Sequence, residues 1–124
     1  MLKVIPLLCL FCFVNAWAES VDLEQLKKEA EQGNSVAQYV LGESYYYGEG
    51  VEQDYKEAIK WYRLSADQGY STAQYSLGYI YNHGEGVVQD YKEAAKWYRL
   101  SADQGDSDAQ YNLARLFYYG DGVN

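Results

Sequence analysis

The chain repeats itself with a period of 36 residues. Ala-Gln-Tyr begins at Ala37, Ala73 and Ala109, and a Gly-x-Gly-Val turn begins at Gly48, Gly84 and Gly120, each marker stepping by 36. Residues 51–69 and 87–105 agree at 17 of 19 positions and differ only at Glu52/Val88 and Ile59/Ala95. A period in this range marks an array of small units, none able to bury its apolar face alone, so neighbours must stack. The recurrence is also an alignment inside one molecule. Positions that never vary serve the stack, and positions that vary are the better candidates for contact with something else.

Each period divides into two amphipathic helices. In the first, Ala37, Leu41, Ser44 and Tyr45 share one face, as do Ala73, Leu77, Ile80 and Tyr81, and then Ala109, Leu113, Leu116 and Phe117. Ser35, Ser71 and Ser107 precede these segments with Gln38, Gln74 and Gln110 three residues on, a capping-box spacing. Gly48, Gly84 and Gly120 stand where a helix ends in a left-handed residue. The second helix starts at Asp54 or Asp90, each followed three residues later by Glu57 or Glu93, an N-cap signature. Its apolar stripe is Tyr55, Ile59, Tyr62 and Ala66 in one copy and Tyr91, Ala95, Tyr98 and Ala102 in the next, and Gly69 and Gly105 end it. One period back, Leu23, Leu26, Ala30 and Gly33 form a degenerate copy of the same stripe. The spacing therefore predicts an all-α chain with helices over 20–32, 35–47, 54–67, 71–82, 90–103 and 107–119. Gly42 and Gly78 interrupt the first helix at a cost of ~1 kcal/mol each against Ala, which predicts close packing of another helix there.

A Gly-x-Gly loop can also cradle a phosphate, but that requires a loop leaving a strand and entering a helix whose amides face the anion. Here the loop follows a helix, precedes the next one by several residues and carries Glu49, Glu85 or Asp121 at its centre. Recurring three times, it suits architecture and not one active site.

The repeated string A-Q-Y-x-L-G-x-x-Y, then G-E-G-V-x-Q-D-Y-K-E-A-x-K-W-Y-R-L-S-A-D-Q-G, resembles the Sel-1-like repeat (SLR) family, relatives of the tetratricopeptide repeats. The similarity covers residues 34–124 well and 22–33 loosely. It departs at Leu113-Ala114, where the other copies have Leu41-Gly42 and Leu77-Gly78, and the third copy stops at Asn124 before its second helix. The resemblance implies a right-handed solenoid of antiparallel helix hairpins. It also implies a role in holding protein partners. The expected units are a remnant over 20–33, repeats over 34–69 and 70–105, and a truncated repeat over 106–124. With its second helix missing, the third copy is expected to leave Leu113, Leu116 and Phe117 uncovered within the chain, so that residues 107–124 are either its least stable part or covered by a second molecule, as in a homodimer through that last helix.

Residues 1–18 read as a secretory signal peptide: Lys3, an apolar run from Val4 to Val14, and Ala16-Trp17-Ala18 before the cut. The run is too short to span ~30 Å of hydrocarbon, so no membrane attachment is expected after cleavage. Both cysteines, Cys9 and Cys12, leave with the leader, so residues 19–124 carry no thiol nucleophile, disulfide or Cys-based metal site. Losing Lys3 takes the 10 basic residues to 9 against 18 acidic ones. Such an acidic surface repels phosphate backbones, so nucleic acid is not an expected partner.

Chemistry is thinly represented. His83, the only histidine, has no second His or Cys beside it in the mature chain and reads as surface. The best-placed carboxylates, Asp54, Glu57, Asp90 and Glu93, are engaged at helix starts, and no Gly-x-Ser-x-Gly or Ser-x-x-Lys motif occurs. No enzyme activity, cofactor or metal is expected. Some cysteine-rich relatives of the repeat are regarded as β-lactamase-like, so a β-lactamase-like or cell-wall-modifying enzyme is the rival reading. An immunity protein against a periplasmic toxin is a narrower one by the same analogy, and a repeat fragment with no role of its own is the plainest.

Tyrosine is the loudest feature, with 15 residues all between Tyr39 and Tyr119. Tyr39, Tyr75 and Tyr111 lie about 160° round from the Ala37-type stripe at ~3.6 residues per turn. Positions 43, 79 and 115 (Glu43, Tyr79, Arg115) and 46, 82 and 118 (Tyr46, Asn82, Tyr118) join them on the face a stacked solenoid turns inward. Aromatic and Arg side chains anchor partners most often. Being invariant, Tyr39, Tyr75 and Tyr111 are expected to brace neighbouring repeats as much as to meet a ligand. The six varied residues are the expected partner contacts of a periplasmic or secreted adaptor. Trp61 and Trp97 align with Gln25, which predicts half-exposed rings.

Overall fold

The computed structural model describes residues 23–120; residues 1–22, with the expected signal peptide, and residues 121–124 lie outside them. Helix α1 covers residues 23–31 of this range. Then follow α2 (Ser35–Tyr47), α3 (Tyr55–Asp67), α4 (Ser71–His83), α5 (Tyr91–Asp103) and α6 (Ser107–Tyr119). No strand occurs among the described residues. Consecutive helices pack as antiparallel hairpins, and α3 also lies against α4, so one hairpin covers the next.

The Asp54 and Asp90 carboxylates accept from the amides two and three residues on, capping α3 and α5 as the sequence predicts. At the other end of α2 and α4, Gly48 (φ 72°) and Gly84 (φ 70°) adopt the left-handed conformation. Amides at both ends of the turn are used internally: Glu49 and Asp54 donate to Ser44 and Tyr45 carbonyls, Glu85 and Asp90 to those of Ile80 and Tyr81. The loop is a bend whose second glycine meets the preceding repeat. A Cβ at Gly86 would stand 2.5 Å from that of Tyr55.

The core is built from aromatic rings laid on small residues. Tyr62 and Tyr98 are its largest fully buried side chains, followed by Leu41, Leu77 and Ile80. Gly42 and Gly78 receive those rings face to face, and a Cβ at either would fall 2.7 or 2.5 Å from the ring's Cδ1. Ala58 and Ala94, outside the expected stripe, are fully buried because they lie one helical turn before these tyrosines on the same face.

Three expectations need correction. Ser-x-x-Gln is not a capping box. The N-caps are Asn34, Tyr70 and Asp106, with Asn34 and Asp106 accepting from the Ala37 and Ala109 amides. The buried Gln38 and Gln74 instead reach backwards, donating to the Ala30 and Ala66 carbonyls at 3.1 and 3.2 Å. Each accepts from Gln68 or Gln104 at 2.7 or 2.8 Å, and those amides also donate to the Gly33 and Gly69 carbonyls. A buried amide needs partners, and this one finds them at the exposed carbonyl end of the preceding helix.

Trp97 is not half-exposed but only 4% exposed, because it belongs to one core cluster with Ala58, Tyr62 and Ala66 of the preceding repeat. Trp61 has only α1 behind it, through Leu23 and Leu26, and is half-buried. Leu116 is not uncovered: it is 4% exposed, packed in one cluster with Ala94, Ala95 and Tyr98. Leu113 is half-buried, and Phe117 is exposed with the Arg99 guanidinium 5.6 Å from its ring.

Candidate interaction groove

Helices α2, α4 and α6 contribute one side chain per turn to a common face, and two adjoining cavities run along it. The first, about 420 Å³, is lined by Glu43, Tyr46, Tyr47, Tyr62, Tyr75, Ser76, Tyr79 and Ile80. The second, about 390 Å³, is lined by residues that include Tyr79, Asn82, His83, Asn112 and Arg115. Tyr79 lines both, so the two cavities adjoin at its side chain, and together they mark a groove face that runs from the first repeat to the third.

Six of the nine residues singled out from sequence line this groove: Glu43, Tyr46, Tyr75, Tyr79, Asn82 and Arg115. The other three stand apart. Tyr39 packs between Tyr62 and Tyr70, ring centroids 5.7 and 5.4 Å away, and joins one repeat to the next. Tyr111 is exposed beneath the Arg115 guanidinium, and Tyr118 is 84% exposed against Tyr119. Ser76 and Asn112 were missed. They share position 40 of the period with Val40, so their variation was the available signal.

Carboxylates pin the groove's tyrosines. Tyr62 donates to Glu43 Oε1 and Tyr46 to Glu85 Oε2, each at 2.5 Å, the second bond spanning two repeats. Burial raises both phenols above the ordinary tyrosine range, and the adjacent carboxylates raise them further. Burial likewise raises Tyr75, with Asp108 adding to it. His83 is stacked on Tyr79 with centroids 4.0 Å apart, and its Nδ1 lies 2.9 Å from the Tyr79 carbonyl oxygen. Charge is polarised along the groove: Glu43 lies at the α2 end and Arg115 at the α6 end.

The Sel1 repeat pattern matches residues 35–70, 71–106 and 107–124. The chain belongs to the Sel1 repeat family. Sel1 repeats are generally scaffolds that mediate protein–protein interaction, with no catalysis of their own. A protective antigen present in uropathogenic Escherichia coli strains, displaying an SLR fold, is 46% identical with a TM-score of 0.79. That alignment covers 82% of this chain but only 22% of the antigen, so the chain spans about a fifth of that relative. A Sel1 repeat protein from Oxalobacter formigenes is 40% identical with a TM-score of 0.73, over 80% of this chain and 74% of that one. Cysteine rich protein B of Helicobacter pylori is 28% identical with a TM-score of 0.69, over 73% of this chain and 68% of its own. No curated protein sequence matches the chain. Among the described residues no cluster of His, Cys, Asp or Glu is arranged to hold a metal ion, and no helix is long and apolar enough to cross a membrane.

Proposed function

We propose that this Sel1 repeat protein is a periplasmic or secreted adaptor that holds a segment of a partner protein in the tyrosine-lined groove. The carrying observation is the pair of tyrosine-lined cavities that adjoin at Tyr79. Rigid rings on a stacked scaffold offer large contact area at little entropic cost, the usual chemistry of an interaction hot spot. The amphipathic walls suit an extended or helical peptide with aromatic or aliphatic anchors.

In this reading residues 1–18 are removed after Ala18 and residues 19–124 form the repeat domain. Expression of the full chain in a bacterium tests it: the mass of the protein recovered from the periplasm should lack the first 18 residues. A cytoplasmic, full-length product removes the export reading. Affinity capture from the native envelope, run in parallel with a Tyr79→Ala/Arg115→Ala variant of unchanged helical content, tests the groove. Partners retained equally by both proteins would refute it. The reading extends to a homodimer through α6, where Phe117, Tyr118 and Tyr119 are exposed. Sedimentation equilibrium returning the monomer mass at all concentrations would remove that extension.

A further inference from the structure

The two copies of the groove wall differ at one buried contact. In the first, the Tyr62 hydroxyl is satisfied by the Glu43 carboxylate. One period on, Tyr98 takes the place of Tyr62 and Tyr79 takes the place of Glu43, so the acceptor is gone. Tyr98 is 0% exposed, and its hydroxyl is covered and has no hydrogen-bond partner. Buried hydroxyls in folded proteins are rarely left so.

Groups suited to a carboxylate lie at this end of the groove. Arg115 and the amides of Asn82 and Asn112 line the second cavity. Asn82 lies beside the Tyr98 hydroxyl, near enough to influence its ionisation, without completing a hydrogen bond of normal geometry. Arg115 is exposed and forms no ion pair among the described residues, resting instead 5.8 and 5.9 Å from the Tyr111 and Tyr119 rings. Asn112 gives Tyr75 only a long bond of 3.4 Å and turns its amide otherwise to the Asp108 carbonyl.

We propose that the α6 end of the groove binds a carboxylate of the partner segment, which takes the part that Glu43 plays in the first repeat. Arg115 supplies the charge and Asn82 an amide donor. The Tyr98 hydroxyl, which is covered and does not itself line the cavity, joins as a donor once the Tyr79 side chain, standing in the place of Glu43, moves aside. With Glu43 at the far end, the groove's polarity also orients the segment, its carboxylate toward α6. The inference rests on the groove being the docking surface and adds the chemistry of what docks.

Nuclear magnetic resonance titration of the full chain with three acetylated Tyr/Leu-containing pentapeptides tests it. One has a central glutamate and an amidated end, one a glutamine and a free C-terminus, and one a glutamine and an amidated end. The expected result is that one or both carboxylate peptides shift the Asn82 and Arg115 side-chain signals and bind about tenfold more tightly than the all-amide peptide. Whichever carboxylate peptide binds identifies the source as side chain or chain end. Arg115→Gln should abolish the advantage, and so should Tyr79→Glu, which restores the internal acceptor. Tyr98→Phe should reduce it without weakening the all-amide peptide. Equal binding of all three peptides overturns the carboxylate and leaves the groove standing. Binding of neither carboxylate peptide, or an advantage that survives Arg115→Gln and Tyr79→Glu, overturns the inference as well.

Discussion

Replacing Gly78 by Ala separates packing from helix propensity, because the two act with opposite sign. On propensity alone, Ala in a helix interior is favoured over Gly by ~1 kcal/mol. The added Cβ, however, would stand 2.5 Å from Tyr98 Cδ1 and 2.7 Å from its Cε1, where carbon contacts sit at about 3.5–4.0 Å. The ring cannot yield easily, since Tyr98 is fully buried with Ala94, Ala109 and Leu116, and Tyr75 lies against it. Overpacking of this kind costs roughly 1–3 kcal/mol. The net expectation for Gly78→Ala is a loss of about 0–2 kcal/mol, or up to roughly 10 °C in Tm. Position 114 provides the control. There the chain already carries Ala, exposed, with no following tyrosine packed on it among the described residues. Ala114→Gly should therefore cost only the propensity difference of ~1 kcal/mol. Urea unfolding of residues 19–124, followed by far-ultraviolet circular dichroism, measures both. In a Tyr98→Leu background, Gly78→Ala should become neutral or stabilising, since the ring it strikes is absent. A Gly78→Ala protein more stable than the wild type would refute the claim that these glycines exist to admit the tyrosine rings.

Tyr62 and Tyr98 have folded pKa values raised by burial, so their contribution is full below the unfolded value of about 10 and falls as pH rises above it, by ~1.4 kcal/mol per unit for each. Alkaline titration should show their ionisation arriving together with cooperative loss of helix, and smooth early titration of every tyrosine would contradict it. Glu43→Ala should cost about 1–3 kcal/mol by orphaning the Tyr62 hydroxyl, whereas Glu43→Gln keeps an acceptor and should cost less; equal losses in chemical denaturation would dismiss the bond as a contributor. Amide hydrogens of α6, where Ala109 and Leu116 are the only buried residues, should exchange sooner than those of α4 and α5; equal protection in a proven monomer would count against this.

Helices α2 to α6 were legible because each is a hairpin arm of 13 residues with a periodic apolar face, and α3 and α5 also have their aspartate caps written beside them. Asp54, Asp90, Gly48 and Gly84 act through their own backbone, a local effect that sequence displays directly. Side chains that serve a neighbouring repeat were harder to read. Gln38 looked like a cap because its spacing from Ser35 is right, and only the stacked hairpin shows that its amide spans between helices. Trp97 and Trp61 have the same sequence around them, yet their burial differs with what lies behind them. On the groove, variation between copies pointed to Glu43, Tyr79, Asn82 and Arg115. It also selected Tyr118, which lines neither cavity although the adjacent Tyr119 does, because its ring stands out from α6 against Tyr119 and is 84% exposed.

The paired glutamines have a consequence for how such a molecule changes over time. Each rung joins Gln38 to Gln68, or Gln74 to Gln104, and ends on the last carbonyl of the preceding turn, so its two anchors always stand 30 residues apart. A whole 36-residue module spliced in at Tyr70–Ser71 would find the same anchors on either side and lock in phase. A single duplication within the gene would thus lengthen the groove face by one fixed increment, with the bonds that cross the junction, such as Gln74 to the Ala66 carbonyl and Tyr46 to Glu85, remade to the equivalent residues of the new copy.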